Sequence, residues 1–92
     1  MVTAFLLVVC EPGHIHDVAQ GLADTAGIAE VYTTTGSADF VAVVRVANLD
    51  ALATLVTERI TTLSGITRTN THVAIRSYGR RDDAAAFDIG VD

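Results

Sequence analysis

The sequence predicts a single α+β domain of βαββαβ order, in which a four-stranded antiparallel sheet carries two helices on one face. Three observations lead there. Apolar runs of strand length alternate with segments of helical periodicity. A glycine closes each helical segment and opens a strand, first in Ala26-Gly27-Ile28 and again in Ser64-Gly65-Ile66. The chain is 92 residues long, enough for one domain, and no Pro/Gly/Ser-rich stretch divides it.

The first strand is expected over residues 3–9, Thr3-Ala4-Phe5-Leu6-Leu7-Val8-Val9, a short run apolar at nearly every position that ends before Pro12-Gly13. From His14 onward Ile15, Val18, Ala19, Leu22, Ala23 and Ala26 keep the three-and-four spacing of one helical face, with Gly27 placed as a C-terminal cap. Residues 28–35 favour strand, and Gly36-Ser37 marks a turn before a third strand over residues 40–46. Asn48 is the expected N-cap of a second helix whose face is Leu52, Leu55, Val56, Ile60 and Leu63 and which stops at Gly65. The last strand is expected over residues 67–77.

With right-handed crossovers this order gives the split βαβ, or ferredoxin-like, arrangement. Two helices cover one side of such a sheet, yet the first and third strands are apolar on both. A second copy of the sheet is therefore expected over the open face. The domain is placed at residues 1–78. Residues 79–92 form a tail with a short helix expected at Ala84-Ala85-Ala86-Phe87.

Composition excludes several classes of function. The longest apolar run, residues 4–10, is far short of the ~20 residues that span a bilayer. The first residues lack the basic start and cleavage site of a signal peptide, and the single cysteine forms no internal disulfide, so a cytoplasmic location is expected. The net charge is −5, there is no lysine, and the six arginines are dispersed, which argues against direct contact with nucleic acid.

Few residues announce chemistry. Cys10, Glu11, His14, His16 and Asp17 are of metal-ligating type, but His14 and His16 are two apart and do not share a helical face, so no metal is expected. No serine sits in a nucleophile elbow, no glycine-rich loop follows a strand, and no cofactor is expected. The chain reads as a binding module and not as an enzyme. The turn Gly36-Ser37-Ala38-Asp39 offers a carboxylate beside free amides, the pairing an amino-acid zwitterion requires, although the same residue types also make plain hairpins.

The run Glu30-Val31-Tyr32-Thr33-Thr34-Thr35-Gly36-Ser37-Ala38-Asp39-Phe40-Val41, then Thr57-Glu58-Arg59-Ile60 and Gly65-Ile66-Thr67-Arg68-Thr69-Asn70-Thr71, resembles the effector-binding domain of the Lrp/AsnC transcription regulators, also called the RAM (regulation of amino-acid metabolism) domain. The resemblance covers about residues 3–78. It implies a dimer built through the sheets, as in dimeric α/β barrels, that assembles into an octameric or decameric ring with amino-acid effectors in clefts between dimers. By position, Gly36, Ser37, Ala38 and Asp39 would contact the effector. Thr69, Thr71, His72 and Val73 on the last strand, with Glu58 and Thr61 on the second helix, would line or respond to the site.

The chain begins at the first sensor strand, where full-length relatives carry a helix-turn-helix domain, so it resembles a stand-alone sensor that acts on transcription through partners, full-length regulators among them. Ser37-Ala38 stand where many relatives have a larger acidic and aromatic pair, implying a wider pocket. His72 stands where an uncharged residue is usual, which suggests tuning by pH. The other readings are a cofactor-independent enzyme on the same paired sheets and a purely structural oligomer.

Overall fold

A computed structural model describes residues 1–80. The helix expected in the tail, at residues 84–87, lies outside the described residues. The elements follow the expected order: β1 Val2–Cys10, α1 Ile15–Ala23, β2 Ile28–Thr33, β3 Phe40–Val46, α2 Leu49–Thr54 and β4 Ile66–Val73. The sheet is antiparallel throughout, in the order β2-β3-β1-β4, the ferredoxin-like arrangement.

Register assigns each side chain to a face. Ala4 is opposite Val44, Leu6 opposite Ala42 and Val8 opposite Phe40, and all six side chains point toward the helices with no exposed surface. Val18 and Leu22 from α1 and Leu52, Leu55 and Ile60 from the second helical segment complete this core. The alternate residues of β1 and β3, among them Phe5, Leu7, Val9, Val41 and Val43, line the other face. Among the described residues no helix covers that face, and Phe5 is 40% exposed there. The doubly apolar pattern of β1 thus describes two faces, of which the domain buries one.

Both helices differ from expectation at their ends. α1 stops at Ala23, three residues early, where Asp24 donates its N–H to Gln20 O and the Thr25 hydroxyl bonds Gly21 O at 2.7 Å. Ala26 is outside the helix and exposed, and Gly27, at φ +97°, turns the chain into β2. α2 is capped by Asn48, whose Oδ1 accepts from Ala51 N at 2.8 Å, but it is regular only to Thr54.

Beyond Thr54 the helix widens into a π-type turn over Leu55–Arg59 and then tightens into a 3₁₀ turn over Ile60–Thr62. Leu55 and Ile60 are both buried and five residues apart, which in a regular helix would set them about 140° from each other. The wide turn, with Ile60 N–H bonded to Leu55 O, brings both onto the core side. Thr57 and Thr61 bond back to the carbonyls of Ala53 and Thr57, an arrangement that bends helices.

The strands are shorter than read at two places. β2 ends at Thr33, because residues 34–39 form the connection to β3, and β4 ends at Val73, although Ala74 still donates to Thr3 O at 2.9 Å. Gly65, also at φ +97°, turns the chain into β4, so both glycines of the repeated helix-to-strand motif serve the same purpose.

Candidate functional site

The turn between β2 and β3 is tied on three sides. Thr34 N–H donates to Asp39 O at 3.0 Å, Thr34 Oγ1 to Ala38 O at 3.0 Å, and Asp39 N–H to Val8 O at 2.8 Å. The Asp39 carboxylate reaches across to β1 and accepts Cys10 N–H through Oδ2 at 2.9 Å. Gly36 takes φ +103° at the tip, with open space around it, so its backbone and not crowding calls for glycine. Ala38 is buried beneath the turn, whereas Ser37 is exposed.

Held this way, the turn forms one wall of a cleft of about 160 Å³ on the open sheet face, lined by Leu7, Val9, Ser37, Ala38, Arg68, Thr69 and Asn70. The turn residues Ser37 and Ala38 and the late-strand residue Thr69 are therefore neighbours, although more than thirty positions separate them in sequence. Thr69 and Arg68 also line an adjoining groove of about 250 Å³ that contains Thr61.

The other candidates are placed apart. Register sets Thr69, Thr71 and Val73 on the helix side of β4, opposite Val8, Leu6 and Ala4, while His72, opposite Phe5, is on the open face. His72 and the two threonines therefore face opposite sides of one strand. Glu58 is exposed on the wide helical turn and lines neither cavity. Gly36 and Asp39 shape the turn without lining the cleft.

Arg68 and Asn70 were not among the candidates read from sequence. Arg68 is opposite Val9 and Asn70 opposite Leu7, on the open face, so they meet Ser37 only through the β1–β4 pairing. An alternation count started from Ile66 as a core position would place Arg68 and Asn70 in the core, because the irregularity between Ile66 and Arg68 in the β1–β4 pairing shifts the phase by one residue. Burial pushes the thiol of Cys10 above its ordinary pKa, and the charges of Asp39 and Glu11 push it further. Among the described residues no group of three His, Cys, Asp or Glu side chains is arranged to hold a metal ion, and no helix is long and apolar enough to cross a membrane.

A βαββαβ sheet with a cleft beneath its β2–β3 turn is a frame on which a small molecule can be held. The model of the Lrp/AsnC ligand-binding domain matches residues 3–83, and the chain belongs to that family. It is similar to TTHA0845 from Thermus thermophilus, at 38% identity over 87% of this chain and 100% of that one, with a TM-score of 0.83. It also resembles the feast or famine regulatory protein Rv3291c from M. tuberculosis, complexed with L-methionine, at 26% identity over 88% of this chain and a TM-score of 0.72. The fold of E. coli AsnC superposes with a TM-score of 0.81 at 22% identity over 87% of this chain. The chain spans 55% of the M. tuberculosis protein and 54% of AsnC. No curated protein matched the sequence.

Proposed function

We propose that this domain senses an amino acid at the cleft between the 34–39 turn and β4, and that it acts on transcription through regulators carrying a DNA-binding domain. The observation that carries this reading is the meeting of Ser37 and Ala38 with Arg68, Thr69 and Asn70 in a single cleft. A guanidinium beside hydroxyl and amide donors suits the carboxylate of an amino acid. Leu7 and Val9 supply apolar surface for the side chain.

Asp39, beside the cleft and not in its lining, uses one carboxylate oxygen on Cys10 N–H, and its second oxygen is the acceptor we assign to the ammonium group of an effector that reaches past the cleft wall. At about 160 Å³ the cleft holds a small amino acid or part of a larger one, which fits a site completed by a neighbouring copy. Thr61 and Thr69, in the adjoining groove, are in position to respond to that neighbour. Thr71, Val73, Glu58 and His72 are assigned to contacts between copies rather than to the effector. The open apolar face supports a dimer through the sheets, from which a ring of dimers would grow. The M. tuberculosis relative complexed with L-methionine supports the amino-acid class.

Thermal shift against the twenty amino acids tests the reading. A ligand at 100 times its dissociation constant adds about 2.7 kcal/mol of stability. That gain should disappear in Arg68→Gln, and a flat response to all twenty amino acids would overturn the assignment.

A further inference from the structure

We propose that two copies pair through their open sheet faces about a two-fold axis running along the strands, so that Glu30 of each copy meets His72 of the other. The inference rests on the sheet pairing proposed above and not on the amino-acid effector.

Register supplies the pattern. Glu30 is opposite Val43, Val43 opposite Phe5 and Phe5 opposite His72, so these four residues form one row across the open face. Tyr32, Val41, Leu7 and Asn70 form the next row. Each row is apolar in the middle and polar at both ends. The irregularity between Ile28 and Glu30 makes it so. Unbroken pairing from Ile28 would set Glu30 opposite Ala42, on the core side, and the extra residue turns Glu30 and Tyr32 to the open face, where both are exposed.

The two margins of the face differ in charge. Among the described strand residues that register places there, Glu30 is the one carboxylate, on the β2 margin, while Arg68 and His72 are on the β4 margin. Two sheets stacked face to face admit a two-fold axis across their strands or along them. An axis across the strands sets β2 over β2 and β4 over β4, which brings acid toward acid and arginine toward arginine. An axis along the strands sets β2 over β4, and each row meets itself reversed. Phe5 is then over Val43 in the middle, with Glu30 over His72 and Tyr32 over Asn70 at the margins. This second arrangement opposes unlike groups and keeps the apolar centre together. Aligned sheets cross at about 30°, which displaces the edge strands by a few ångström, within the reach of a glutamate or tyrosine side chain.

Glu30 has an oxygen to offer. Its Oε2 accepts the Tyr32 hydroxyl at 2.8 Å, while Oε1 is 3.8 Å from Arg45 Nη1, too far for a hydrogen bond. Oε1 is the acceptor for a ring N–H of His72 from the second copy. The same pairing carries Tyr32 of the second copy to Asn70, which lines the turn cleft, so each copy supplies a hydroxyl at the other's cleft.

Sedimentation equilibrium of the full chain and its charge variants tests the axis. His72→Glu sets a carboxylate against Glu30 of the second copy and should raise the dissociation constant of the pair about tenfold or more. Adding Glu30→Arg should return it toward the unaltered value, because the two changed residues then meet as opposite charges. With the axis across the strands the double variant would set like against like at both margins and stay weak, which overturns the proposal. Circular dichroism reports the fold of each variant. If Glu30→Arg fails to fold beside Arg45, Glu30→Gln on the His72→Glu background should still regain part of the loss, and no regain overturns the proposal. A monomeric unaltered chain overturns the sheet pairing and the proposal with it, whereas pairing without regain overturns the axis alone.

Discussion

The Asp39 carboxylate accepts the main-chain N–H of Cys10 at 2.9 Å, a bond that ties the start of β3 to the last residue of β1. Cys10 lies beyond the last β1–β3 pair, Val8 with Phe40, so its amide, on the β3 side, needs an acceptor from outside the ladder. Asp39→Ala leaves that amide without a partner and should cost about 1–3 kcal/mol in urea unfolding. Asp39→Asn keeps an oxygen acceptor and should lose less than Ala. Equal stability of Asp39→Ala and the unaltered chain would mean that the turn is held without this bond, by its backbone bonds and the Thr34 hydroxyl.

Gly27 and Gly36 have similar backbone angles, φ +97° and +103°, but different surroundings. A Cβ at Gly27 would be 2.7 Å from Leu55 Cδ1 and 3.0 Å from Val46 Cγ1, whereas one at Gly36 would meet nothing within 4 Å. Gly36→Ala should therefore cost backbone strain only, about 1–2 kcal/mol. Gly27→Ala adds overpacking against the core and should cost about 1–3 kcal/mol more, read from midpoints of chemical denaturation. The reverse order would show that the strand entry relaxes more easily than the turn.

Cys10 is 6% exposed, and its thiol pKa is raised, first by burial and then by Asp39 and Glu11. A raised thiol pKa means the folded chain holds its proton more tightly than the unfolded one. The stabilising contribution is fully present below the unfolded value of about 8.5 and is lost as pH rises through the folded one. Alkylation by iodoacetamide at pH 8 should be slower by roughly tenfold or more in the native chain than in denaturant, because the thiolate is both scarce and covered. Comparable rates in the two states would place the thiol in water.

Much of this was legible in the sequence, for identifiable reasons. Gly27 and Gly65 marked the helix-to-strand joints because a positive φ leaves few alternatives to glycine, and Asn48 announced its helix by capping chemistry. The widened turn after Thr54 was less visible: the five-residue step from Leu55 to Ile60 could be written as a helical face, and only its burial on one side requires the extra residue. The site was half legible. Ser37, Ala38 and Thr69 followed from resemblance, whereas Arg68 and Asn70 join them through a register between strands that no local pattern states.

The open face permits a direct test of assembly. Phe5 points away from the core, opposite Val43 on one side and His72 on the other, and is 40% exposed. Covering a phenylalanine contributes about 1.5–3 kcal/mol, and a two-fold pairing of sheets would collect it from both copies. Phe5→Glu removes that gain and sets a charge against the partner's apolar surface. The core side of β1 keeps Ala4 and Leu6, so the fold should survive with its circular dichroism unchanged. Sedimentation velocity should then show a species smaller than that of the unaltered chain. If Phe5→Glu sediments like the unaltered chain, the copies meet elsewhere, and the apolar pattern of β1 needs a different explanation.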